Sequence, residues 1–138
     1  MNAVDTNVLV YAVSADEVVK GSTAMALLDG LSAADTVLLW QVLCEFGAVL
    51  ARLRTRGGGG PNAFAALTAC RERFPLVLPG PAVLDLGLRI HCDHGVSYWD
   101  AMLLAACADA GVSRLYSEDV QSCPSISGVE IVNPFRQA

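Results

Sequence analysis

Along the chain, short apolar runs alternate with stretches of helical spacing. Residues 1–4 form a brief apolar run that ends at Asp5 and reads as a strand, followed by a short helix over 6–13. A helix over 18–31 carries Met25, Leu28 and Leu31 among its apolar positions. Residues 36–40 read as a second strand. The helix over 41–54 has the clearest periodicity, with Val42, Phe46, Val49 and Leu53 recurring at i, i+4, i+7 and i+11. The glycines at 57–60 end that helix, and Pro61 suits the first turn of the next, which runs to Arg73. Residues 76–78 form a third strand. Two further helices, over 81–94 and 98–110, are closed by Gly95 and Gly111. Residues 114–117 and 130–132 are the last two strands.

Five short strands alternating with helices predict an α/β domain with a mainly parallel sheet. Neither an internal repeat nor a long linker divides the chain, so one domain is expected over 1–138. Apolar residues make up 54% and charged residues 17%, enough for a packed core and too apolar for a disordered chain. The mean hydropathy of +0.46 is nevertheless spread out: no run reaches the roughly 18–20 apolar residues of a membrane span. The N-terminus lacks a basic signal-peptide region and meets an acid at Asp5. Cys44, Cys70, Cys92, Cys107 and Cys123 are odd in number and widely spaced, as expected of reduced core thiols in a cytoplasmic protein. With 14 acids against 9 bases the net charge is −5, which excludes nucleic-acid coating by bulk charge.

Parallel sheets carry their functional residues beyond the carboxyl ends of the strands. Asp5 follows the first strand and Asp119 the fourth, within Ser117-Glu118-Asp119. Glu45 sits early in the helix after the second strand, on the border of its apolar stripe. Asp100 stands three residues after Ser97, the spacing of a capping box, ahead of the apolar run 101–108. Each has an ordinary structural explanation: a helix cap for Asp5 and Asp100, a solvated flank for Glu45, a turn for Asp119. Together they can converge on one sheet edge. Four carboxylates there repel one another and raise their pKa values until a divalent cation relieves them, and all-oxygen donors suit Mg²⁺ or Mn²⁺.

Asp5-Thr6-Asn7-Val8-Leu9-Val10-Tyr11, Glu45, Tyr98-Trp99-Asp100-Ala101 and Ser117-Glu118-Asp119 together resemble the PIN domain, most closely the VapC-type ribonuclease toxins, over nearly the whole chain. The resemblance implies a Rossmann-like three-layer α/β/α fold and a Mg²⁺- or Mn²⁺-dependent endoribonuclease. It also implies an acidic site of Asp5, Glu45, Asp100 and Asp119 with Asn7 and Ser117 as polar support, and a cognate antitoxin that covers it. In such a site Asp5 and Asp100 contact metal directly and Asp119 completes the shell. Glu45 serves a second ion or orients the attacking water. Two other outcomes stay open: a PIN-domain nuclease of RNA processing, or a silent PIN-like scaffold acting by protein contact.

Other chemistries fit less well. Lys20 is the only lysine, whereas haloacid-dehalogenase-type phosphatases and receiver domains need one late in the chain. The glycine run lacks a following Gly-Lys-Ser/Thr, and no Gly-x-Ser-x-Gly elbow occurs. His91-Cys92-Asp93-His94 offers metal-ligand types but no spaced second pair. Arg52, Arg54 and Arg56, with Arg71 and Arg73, complement helix C-termini and are also candidates to grip an RNA backbone or an acidic partner. The apolar content, high for this size, points to a covered surface and a homodimer.

Overall fold

Ala3 and Val4 are almost completely buried, as a strand flanked on both sides and both faces requires. The computed structural model of the chain describes residues 1–57, 62–120 and 125–136. Its elements run β1 (Asn2–Val4), α1 (Thr6–Val13), α2 (Val18–Gly30), β2 (Leu38–Leu39), α3 (Trp40–Thr55), α4 (Ala65–Arg73), β3 (Leu76–Val77), α5 (Ala82–His94), α6 (Tyr98–Asp109), β4 (Arg114–Tyr116), β5 (Ser125–Ile126) and β6 (Val129–Val132).

β1 pairs with β4 and β4 with β6, all parallel, with Val4 opposite Tyr116 and Tyr116 opposite Val132. β2 pairs with β3 in parallel and joins β1 through a parallel bridge between Asn2 and Thr36. The strand order across the described residues is therefore β3-β2-β1-β4-β6-β5. The chain steps outward from β1 to β2 to β3, then returns to lay β4 on the other side of β1. Right-handed crossovers put the helices of the outward steps on one face and those of the return on the other. Packing agrees: α1 lies against α2 and α3, while α5 and α6 form a separate pair. This is the three-layer α/β/α arrangement with a mainly parallel sheet. The reversal of direction between β1 and β4 opens a crevice at their carboxyl ends, the usual ligand position in such sheets.

Leu9, Leu38, Phe46, Leu103, Leu104 and Leu115 fill the core beside the strands. Each contributes about 1.5–3 kcal/mol by leaving water. Gly95 closes α5 in the left-handed region at φ 68°, the conformation expected of a glycine one residue past a helix.

Four local features differ from the sequence reading. A sixth strand, β5, pairs antiparallel with β6. It is two residues long, too short for alternation to register. Trp40 begins α3 instead of ending β2. The buried face of α3 is Val42, Leu43, Phe46 and Leu50, while Val49 is half-buried and Leu53 exposed. A stripe of spacing i, i+4, i+7, i+11 fits either of two adjacent faces, and packing selects one. Of the cysteines, Cys107 is buried and Cys70 half-buried, but Cys44 and Cys92 are exposed, so they are not core thiols. The glycines at 58–60, Pro61 and Cys123 lie outside the described residues.

Candidate functional site

Asp5 leaves β1 and caps α1, its backbone extended and its Oδ1 accepting the Thr6 N–H at 2.7 Å. Its own N–H still belongs to the sheet, donating to the Tyr116 carbonyl of β4 at 2.9 Å. The carboxyl group is therefore fixed at the mouth of the crevice and is 6% exposed.

The chain leaving β4 closes on it. The buried Ser117 hydroxyl donates to Asp5 Oδ2 at 2.7 Å and accepts the N–H groups of Asp119 (3.1 Å) and Val120 (3.4 Å). One hydroxyl proton and two lone pairs are thus all used. Asn7, half-buried on α1, donates through Nδ2 to Asp119 Oδ2 at 3.0 Å and to Asp5 Oδ2 at 3.4 Å. Its Oδ1 accepts the Glu118 N–H at 3.3 Å. Asp5, Asn7, Ser117 and Asp119 consequently form one knot across two strand ends. Glu118 turns the other way, toward the Lys20 ammonium on α2 and the Tyr11 hydroxyl on α1. Lys20 also lies 4.9 Å from the centre of the Tyr11 ring.

Glu45 joins from α3. Thr6 Oγ1 donates to its Oε2 at 3.0 Å, and Gln41 Nε2 donates to its Oε1 at 3.2 Å from one turn earlier. The same Gln41 nitrogen donates to the Trp99 carbonyl at 3.1 Å, which ties α3 to the first turn of α6. Asp100 follows in that turn, half-buried, its N–H donating to the cap Ser97 Oγ at 3.3 Å. Among the described residues Asp100 shares no hydrogen bond with the other acids; the Glu45–Gln41 link ends at the carbonyl of its neighbour Trp99.

Burial pushes the Asp5 carboxyl up to about 6, and Asp119 and Glu45 add to the rise by repulsion. The Ser117 and Thr6 hydrogen bonds pull against it. Burial, with some repulsion from Asp5, also lifts the Cys107 thiol on α6 to about 12, leaving it protonated and inert. Among the described residues no three His, Cys, Asp or Glu side chains are grouped closely enough to hold a metal between them. A Mg²⁺ ion needs less than that, because it keeps several waters and takes one or two carboxylates. Asp5 and Asp119 share the Asn7 amide, offer only oxygen, and crowd negative charge that a divalent cation would relieve. The residues present fit such an ion in donor type and in charge.

The other candidates lie elsewhere. Arg52, Arg54 and Arg56 are exposed at the C-terminal end of α3. Arg73 is committed to Asp29 and to the carbonyls of Asp29 and Leu31. His91 Nδ1 lies 2.7 Å from the Val96 carbonyl, which engages that ring in closing the helix, and His94 is exposed. Thr6 and Tyr11 stand in the motif that carries the resemblance without a role assigned to them, and Gln41 is not among the sequence candidates. Gln41 could have been, since it precedes Glu45 by the four residues that place helix side chains together.

The family model of the PIN domain matches residues 3–121. No match is found among curated protein sequences. Solved structures share the fold at low identity. A toxin–antitoxin complex from Klebsiella pneumoniae superposes with a TM-score of 0.72 at 14% identity, covering 99% of this chain and 100% of that one. FitAcB from Neisseria gonorrhoeae gives 0.71 at 19%, with 99% and 100% covered. Mycobacterium tuberculosis VapC20, described as a sarcin–ricin loop cleaving toxin, gives 0.71 at 19%, with 94% and 99% covered.

Proposed function

This chain belongs to the PIN domain family, a family of nucleases, and on that premise we propose that it is a metal-dependent endoribonuclease, the toxin half of a toxin–antitoxin pair. The observation that carries the proposal is the buried Asp5 carboxyl at the β1–β4 crevice, fixed by three donors and facing Asp119 and Glu45. Structural likeness to a toxin–antitoxin complex and to an RNA-cleaving toxin supports the substrate class and the partner.

Asp5, Asp100 and Asp119 would hold a Mg²⁺ or Mn²⁺ ion, which would supply neutralisation of the phosphoryl oxygens and activation of a water. The chain's own residues do the rest. Ser117 and Asn7 keep Asp5 and Asp119 aligned without spending a charge. Glu45, its two oxygens oriented by Thr6 and Gln41, is the acceptor for a proton of the attacking water. Ser97 caps α6 and accepts the Asp100 N–H, which keeps Asp100 in the first turn of that helix. Arg52, Arg54 and Arg56 are the proposed RNA or partner contacts, their planar forks suited to phosphate. A single domain over 1–138, a homodimer, a cytoplasmic site of action and an antitoxin that covers the acids complete the proposal. Among the described residues no helix is long and apolar enough to cross a membrane.

The test is cleavage of unpaired RNA by purified protein in Mg²⁺ or Mn²⁺, abolished by EDTA. Asp5→Asn and Asp100→Asn are each expected to cut the rate by about a hundredfold or more while circular dichroism stays native. Full activity in either variant overturns the assignment. Growth arrest on expression, relieved by a co-expressed partner, separates a toxin from a nuclease of RNA processing.

A further inference from the structure

Both tryptophans of the chain, Trp40 and Trp99, line one groove of about 790 Å³ that opens beside Glu45. They are 49% and 66% exposed, unusual for the largest apolar side chains. One wall is a face of α6, carrying Trp99, Met102, Ala106 and Asp109 at i, i+3, i+7 and i+10. The stretch from Trp99 to Asp109 is about 15 Å long at the helical rise. The opposite wall is the start of α3, with Trp40, Gln41 and Glu45, and residues 77–84 close the side. Gln41 belongs to both places: its amide nitrogen holds Glu45 Oε1 and the Trp99 carbonyl. The groove is therefore continuous with the acidic site.

We propose that this groove takes the unpaired nucleobases next to the scissile phosphate of an RNA strand, with Trp99 and Trp40 as stacking platforms, an inference that rests on the nuclease reading above. A strand with one phosphate at Asp5 that runs on toward α3 passes Glu45, and the groove begins there. Its walls are mainly apolar, which disfavours a phosphate backbone and favours the flat faces of bases. Carboxylates stand at both ends, Glu45 and Asp109, and carboxylates accept from the amino groups of cytosine and guanine. An apolar face of a second copy would instead seal those two carboxylates away from water without a cation for either.

The chain's two indoles are its own reporters. Asp5→Asn protein in Mg²⁺, titrated with a short unpaired oligoribonucleotide, is expected to lose tryptophan emission on binding. Trp40→Phe and Trp99→Phe should each remove part of the quenching. In steady-state cleavage by the otherwise unaltered protein, Trp99→Ala should raise KM roughly tenfold with kcat changed less than about twofold, and Trp99→Phe should recover most of the loss. Circular dichroism checks the fold, and the Phe variants carry the test if Trp99→Ala fails it. Emission that ignores RNA but shifts on diluting the protein overturns the proposal in favour of a second copy. So does a Trp99→Ala variant with reduced kcat and unchanged KM, which would mean that Trp99 only supports Asp100. Cleavage without quenching sinks the groove alone. Quenching without cleavage by the unaltered protein sinks the nuclease reading and leaves the groove as an RNA-binding site.

Discussion

Asp5 and Asp100 occupy matching places in the sequence and opposite environments in the fold. Each stands at the start of a helix, and each has a serine partner. Asp5 is itself the cap of α1, 6% exposed, with Ser117 reaching it from a strand end 112 residues away. Asp100 lies one turn inside the start of α6, half-buried, with the local cap Ser97 bonded only to its backbone. The contrast divides labour. A carboxyl group buried among other acids is held at a cost in stability, and that cost is a reservoir for binding a cation. A carboxyl group at a solvated helix start costs little and is ready to complete a coordination shell.

The largest test of this contrast is pH. With a folded-state pKa of about 6 against the ordinary aspartate value of 3.8, Asp5 binds its proton more tightly folded than unfolded. Well below pH 4 both states are protonated and Asp5 imposes no penalty. Between pH 4 and 6 the unfolded chain releases its proton first, so metal-free protein loses stability as pH rises. The loss levels off near about 3 kcal/mol above pH 6. Comparing unfolding free energies of wild type and Asp5→Asn at pH 4 and pH 7 isolates this component, because the variant lacks it. Mg²⁺ should recover stability at pH 7 and not at pH 4. Equal pH slopes in the two proteins would remove the distinction between the acids.

Ser117→Ala comes next. It strips Asp5 of a donor and leaves the Asp119 and Val120 N–H groups without their acceptor, so a loss of about 2 kcal/mol in chemical denaturation is expected. The rate of cleavage should fall as well. Ser97→Ala touches only a cap, costs about 1 kcal/mol, and should leave the pH profile of stability unchanged. If Ser97→Ala proves the more damaging of the two, the comparison is reversed.

Much of the site was legible because strand ends and helix starts are local signals. Asp5 after residues 1–4 and Asp119 after residues 114–117 needed only the alternation of elements, whereas Asn7 and Ser117 came from the resemblance alone. Ser97 before Asp100 needed only capping spacing. The meeting of β1 with β4 is a different matter. It depends on the chain reversing direction after β3, a global choice made by crossover handedness and by which helix faces fit the core. Thr6 against Glu45 and Gln41 against the Trp99 carbonyl follow from that choice, whereas the Gln41–Glu45 contact is local, four residues apart on α3. The face of α3 was ambiguous because Val42, Phe46, Val49 and Leu53 are all apolar, and only packing turns Leu50 inward and Leu53 out. Cys44 lies exposed on that same helix, on the groove.

Lys20 is the one lysine in 138 residues, and it is followed by Gly21, which packs so closely on α1 that a methyl group there would sit 2.9 Å from the Tyr11 carbonyl oxygen. A lysine-specific protease therefore has a single bond to cut, inside α2, where the ammonium is engaged by Glu118 beside the acidic knot. Scission requires that turn of helix to peel away from α1. The nicking rate of the intact protein is thus a clock for how often the wall next to the site opens, and an occupant that braces the Ser117–Asp119 turn should slow it.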